Sequence, residues 1–124
     1  LVYAATMSIV GIALSVVFQL AHAVEEAQFP LPTDGRIARP WAVHQVETTI
    51  DFSRDNKILS WFVGGLNFQI EHHLFPKISH IHYPEIRRII KQTCQEYGVP
   101  YIEYKKMRSA VASHVAFLKQ MGRK

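Results

Sequence analysis

The first 24 residues, Leu1 to Val24, contain no Lys, Arg, Asp or Glu; all 14 basic and all 10 acidic residues lie at or beyond Glu25. An uncharged run of this length matches a bilayer, whose hydrocarbon core takes about 20 helical residues to cross. Its interruptions are Thr6, Ser8, Gly11, Ser15, Gln19 and His22, all small or uncharged. Small residues of this kind let helices approach closely inside a membrane. A signal peptide fits poorly, because no basic region and no initiating Met precede the run. A buried helix of a soluble protein is the competing reading, and it ranks lower because such a helix usually carries a charge. The chain starts inside the run, so residues 1–24 are expected to be the last transmembrane helix of a multi-span protein whose earlier spans lie upstream.

The remaining residues, 25–124, form the second unit, and every Lys and Arg of the chain falls within it. The positive-inside rule then predicts a cytoplasmic C-terminal region. A net charge of +4 suits a domain lying against an anionic leaflet. Nucleic acid is not an expected partner, since no nucleic-acid-binding motif or aromatic-basic platform accompanies the charge. The single cysteine, Cys94, excludes an internal disulfide and a cysteine-based metal site.

The local patterns predict an all-α fold. Pro30, Pro32, Gly35 and Pro40 mark a loop after the span. Trp41–Phe52 reads as helix from the spacing of Val43, Val46 and Ile50, although its β-branched content pulls toward strand. Asp55 or Ser53 can cap a helix beginning near Lys57, whose apolar run from Ile58 to Phe68 is too short to span and suits an interfacial or re-entrant helix. Gly64 and Gly65 interrupt it, and a helical stretch from Gln69 to Phe75 ends at Pro76. Tyr83–Tyr97 is the clearest helix, with Pro84 in its first turn and Gly98 as its stop. Val99–Ile102 reads as an extended link, and a last helix runs from Lys105 to Met121.

The chain carries seven histidines, of which His22, His44, His72 and His73 matter most. Gln69, His72 and His73 stand at positions i, i+3 and i+4, so a helix presents all three on one face. Two neutral imidazoles aimed at one point suit a borderline metal such as iron or zinc. No Glu has a His three residues later, so the Glu-x-x-His pairs of soluble di-iron bundles are absent. For a bare His-His pair, surface or core histidines are the commoner outcome, and the surrounding string decides here.

That string, Leu66-Asn-Phe-Gln-Ile-Glu-His-His-Leu-Phe-Pro76, resembles the third histidine box of membrane fatty acid desaturases. The form with Gln first is similar to the front-end group, which inserts a double bond between an existing one and the carboxyl end. Trp61-Phe62, Gly64 to Asn67 and Tyr83-Pro84 share the resemblance, which covers roughly residues 15 to 102. It implies that His72 and His73 are iron ligands and that Gln69, where other desaturases place a histidine, is a weaker ligand or holds a water or an imidazole. A histidine at the cytoplasmic end of the last span also meets metal in this family, and His22 matches it, with an interfacial histidine facing headgroups as the alternative. Gln19, Asn67 and His44 are expected behind the ligands, with a plain surface position as the alternative for His44. His80 and His82 read as solvated loop residues, with a lipid headgroup or phosphate as the less favoured partner. His114 reads as packing, Glu71 as pointing away from the ligand face, and Glu25 and Glu26 as solvated charges.

The resemblance implies two non-haem irons acting with O2, electrons from cytochrome b5 or ferredoxin, and a fatty acyl substrate on CoA or lipid in an integral membrane enzyme. These ligands are too few for two irons, so the chain by itself is expected to be inactive. A related histidine-box hydroxylase, acetylenase or sphingolipid desaturase, a zinc site, and a basic lipid-docking domain are the alternatives.

Overall fold

A computed structural model describes residues 1–123. Helix α1 (Val2–His22) is the apolar run and is long and apolar enough to cross a membrane. Its residues from Val2 to Val16 are all exposed, and only near its end do Val17, Leu20 and Ala21 become buried. That last turn packs with Phe52 and with Ala110 of the final helix into one core cluster. The helix end is thereby fixed to the polar region, which positions His22.

The polar region is mostly helical. Helix α2 (Trp41–Glu47) follows the proline-rich loop. Expected to run to Phe52, it stops at Glu47, and the segment beyond becomes strand β1 (Asp51–Phe52). This strand pairs in parallel with β2 (Glu103–Tyr104), matching Asp51 with Glu103 and Phe52 with Tyr104. The Ile50 N–H donates to the Ala21 carbonyl at 2.9 Å, and the Phe52 N–H to the Asn67 carbonyl at 3.1 Å. The strand is thus tied at once to the end of α1 and to the start of the histidine segment, and Ile50 and Phe52 lose all solvent contact. Two short strands are the one departure from all-helical architecture among the described residues.

Helix α3 (Lys57–Phe62) begins at Asn56, whose side-chain oxygen accepts the Leu59 N–H. Gly64 and Gly65 end it in the left-handed region, at φ of 61° and 77°. Gly65 is required twice over, because a Cβ there would lie 2.5 Å from His80 Cβ. Helix α4 (Gln69–Leu74) carries the histidine box. A 3₁₀ turn (His80–His82) leads into α5 (Tyr83–Glu96), with Pro84 in its first turn as its sequence predicts. Its buried residues Ile90 and Cys94 pack with Val46 and Ile70, so α5 supports α4 from beneath. Helix α6 (Met107–Met121) returns to the end of α1.

Candidate metal centre

Three histidines meet where α1 ends against α4. The His22 and His73 ring centroids lie 5.0 Å apart, and those of His72 and His73 lie 6.0 Å apart. Each ring has its Nδ1 committed to the protein. His73 Nδ1 lies 2.9 Å from Gln45 Oε1, His22 Nδ1 lies 3.4 Å from the Thr48 carbonyl oxygen, and His72 Nδ1 lies 3.2 Å from the Tyr83 hydroxyl. An amide or peptide oxygen only accepts, so His73 and His22 donate from Nδ1 and carry their lone pair on Nε2. This is how metal-binding histidines are held in proteins: one nitrogen fixed by an outer partner, the other presented. Burial, reinforced by His22 and His72, pushes the His73 pKa down, which keeps the ring in the neutral form a metal requires.

Gln69 is completely buried, and neither its Oε1 nor its Nε2 has a hydrogen-bond partner. Leaving a buried polar group unpaired costs about 1–3 kcal/mol. On the helix it shares a face with His72 and His73, so its carbonyl oxygen is a donor without an acceptor role elsewhere in the fold. The donor set suits a metal in kind: His22 and His73 carry a lone pair on Nε2, His72 is held by a Tyr83 hydroxyl that can donate or accept, and Gln69 adds an unpaired amide. It is incomplete by itself, since no three His, Cys, Asp or Glu side chains among the described residues, these histidines included, are grouped closely enough to hold a metal ion.

The three residues expected behind the ligands occupy different surroundings. Asn67 is buried and donates from Nδ2 to Ser60 Oγ at 2.9 Å, so it buckles α3 to the start of α4. Gln19 lies on the exposed side of α1, apart from any side-chain hydrogen bond among the described residues. His44 is half-buried on α2 and its Nδ1 has no partner, while its neighbour Gln45 holds His73. Sequence reasoning missed Gln45 and the role of Tyr83. Both reach the box from other helices, and only adjacency to His44 and to Pro84 marked them.

Behind the ligand face Glu71 does point away, but into the core rather than to solvent. Tyr101 places its hydroxyl 2.6 Å from Asp51 Oδ2 and 2.9 Å from Glu71 Oε1, and Asp51 Oδ1 accepts the Ile70 N–H at 3.0 Å. Burial, with the Asp51 charge adding, pushes the Glu71 carboxyl up to about 9, and burial raises Asp51 as well. One hydroxyl proton cannot serve two carboxylates, so the pair keeps a proton of its own. This network clamps α4 from its rear.

Glu25 and Glu26 are exposed, as solvated charges are expected to be, and are also hydrogen-bonded: Gln120 Nε2 donates to Glu25 Oε1 at 2.6 Å, and Ser113 Oγ donates to Glu26 Oε2 at 2.8 Å. Tyr104 also donates to Glu26. His114 does more than pack, since its Nδ1 donates to the Ala23 carbonyl at 2.6 Å. These contacts bind α6 to the end of α1, one residue beyond His22.

The model of the family described as fatty acid desaturase matches residues 1–105. The chain belongs to the fatty acid desaturase family. Among curated proteins it is 47% identical over 111 residues to the sn-1 linoleoyl-lipid 6-desaturase of Arthrospira platensis, covering 90% of this chain and 30% of that one. It is 45% identical over 120 residues to the acyl-lipid (8-3)-desaturase of Physcomitrium patens, covering 97% of this chain and 25% of that protein. The acyl-lipid (8-3)-desaturase of Mortierella alpina is 47% identical over 110 residues, 88% of this chain and 25% of its own length. The chain thus spans about a quarter to a third of these relatives. No solved structure matches it. As a segment of a fatty acid desaturase, it brings the box at Gln69, His72 and His73 to a histidine contributed by the apolar helix.

Proposed function

We propose that this chain is the part of a lipid-acyl desaturase that supplies one side of a histidine-ligated di-iron centre. The observation that carries the reading is the meeting of three imidazoles whose Nδ1 atoms are tied, two of them to oxygens that only accept, with the unpaired Gln69 amide on the same helix as His72 and His73. His22, His72 and His73 would hold iron, with Gln69 as a weaker neutral donor. Bound iron would supply O2 activation for removing two hydrogens from an unactivated acyl chain, a task beyond any side-chain acid or base. Gln45, Thr48 and Tyr83 fix the ring orientations and so the direction of each lone pair. The Asp51–Glu71–Tyr101 clamp keeps α4 rigid, and its shared proton limits the negative charge buried beside the ligands.

In this reading α1 crosses the membrane and residues 25–124 lie on the cytoplasmic side, where every cation of the chain is found. The acyl-lipid names of the relatives favour an acyl group carried on a lipid, with electrons delivered by cytochrome b5 or ferredoxin. The remaining ligands come from upstream sequence, so the chain alone is inactive. Fatty-acid profiling of cells expressing the full-length protein tests the reading. A new unsaturated product is expected, and it disappears in His72→Ala and His73→Ala; the same product from those variants would refute the ligand assignment.

A further inference from the structure

Residues of α3, the 3₁₀ turn and the start of α5 enclose a hollow apart from the histidine box. An open cleft of about 580 Å³ is walled by four cations, Arg54, Lys57, Arg87 and Arg88. Asp55 is its one lining carboxylate among the described residues. Glu103 sits behind the wall and pairs with Arg54 at 2.5 Å and Arg87 at 2.7 Å, which fixes both guanidiniums in place. Lys57 and Arg88 have no ion-pair partner among the described residues. The cleft therefore keeps its unpaired positive charge on Lys57 and Arg88, beside the Arg54 and Arg87 guanidiniums that Glu103 holds.

Its rim is apolar. Trp61 is 81% exposed and Ile81 68% exposed at the mouth, and Ile58 and Phe62 extend the same surface at 82% and 73%. Large apolar groups do not gather around a water-facing anion site without a reason. An aromatic and aliphatic rim around a cationic hollow fits the boundary between acyl chains and headgroups. Phe68 lines the cleft, its ring is 6.5 Å from Tyr83, and Tyr83 holds His72. Gly65 lets the His80 turn close over the floor.

We propose that this cleft binds the phosphate of an anionic phospholipid headgroup, with the glyceryl and upper acyl portion resting on Trp61 and Ile81. The proposal needs neither metal nor turnover, so it stands or fails separately from the iron reading. It is tested by native mass spectrometry of the full-length protein in nonionic detergent, titrated with phosphatidylglycerol, with diacylglycerol of the same chains, and with inorganic phosphate as competitor. Phosphatidylglycerol is expected to bind tenfold or more tightly to the native protein than to Lys57→Gln/Arg88→Gln. Diacylglycerol is expected to bind weakly and equally to both. Competition by inorganic phosphate would show that the phosphate alone suffices, and lack of competition that the lipid body is needed as well. Both exchanged residues are exposed and unpaired, so the fold survives their loss. Equal phosphatidylglycerol affinity in the variant would overturn the proposal. So would an equal loss in Lys119→Gln/Arg123→Gln, which removes the same charge from the end of α6.

Discussion

Glu103 and Gln69 are both polar side chains drawn into the fold, and their surroundings are opposite. Glu103 is 12% exposed, and its two oxygens meet Arg54, Arg87 and Lys91 at 2.5 to 2.8 Å. Gln69 is fully buried and meets nothing. A carboxylate surrounded by cations ties elements together: here β2 to α5 and to Arg54, two residues past β1. An amide left unpaired beside two histidines adds nothing to stability, so its retention points to a partner outside the chain's own polar groups. The difference separates a structural polar cluster from the one proposed to bind a metal, and each can be broken selectively.

The largest effect is expected at the ligands. His72→Ala or His73→Ala should lower desaturation beyond the roughly 10–100-fold typical of outer-shell changes, while the melting temperature of the full-length protein hardly moves. Next comes Gln45→Leu, which removes the acceptor for His73 Nδ1. Iron affinity should fall roughly 10–100-fold, read by chelator competition, with folding intact by circular dichroism.

Glu103→Gln should do the reverse. Activity per folded molecule stays, but Arg54 and Arg87 lose their counter-ion and stability drops by about 2 kcal/mol, between the values for exposed and buried pairs. A urea titration measures it. The smallest effect is the pH dependence of the same group. Burial alone would raise the Glu103 pKa, but hydrogen bonds from Lys91 and Arg87 and the charges of Arg87 and Arg54 hold it below the usual carboxylate range. A depressed folded-state value means the stabilisation is full above the unfolded pKa of about 4.3 and is lost as pH falls through the folded value. Thermal melts below about pH 5 should show this loss in the native protein and a weaker slope in Glu103→Gln.

The two clusters also differed in how far the sequence foretold them. Gln69, His72 and His73 lie within one turn of one helix, so spacing alone joined them, and the surrounding string supplied the family. Helices α1 and α5 were equally plain, because an uncharged run and a capped amphipathic run are local signals. Helix α2 was overextended for the opposite reason. Asp51 and Phe52 are settled by pairing with Glu103 and Tyr104, far along the chain, and local periodicity is silent on such contacts. Gln45, Tyr83 and the Asp51–Glu71–Tyr101 clamp were hidden in the same way, each reaching the box from another element.

Metal analysis of the purified full-length protein bears most directly on the claim that the tethered histidines are ligands. Native protein should carry iron that Glu103→Gln retains per folded molecule and that the His72→Ala/His73→Ala double variant loses. Iron content unchanged in the folded double variant would contradict the assignment.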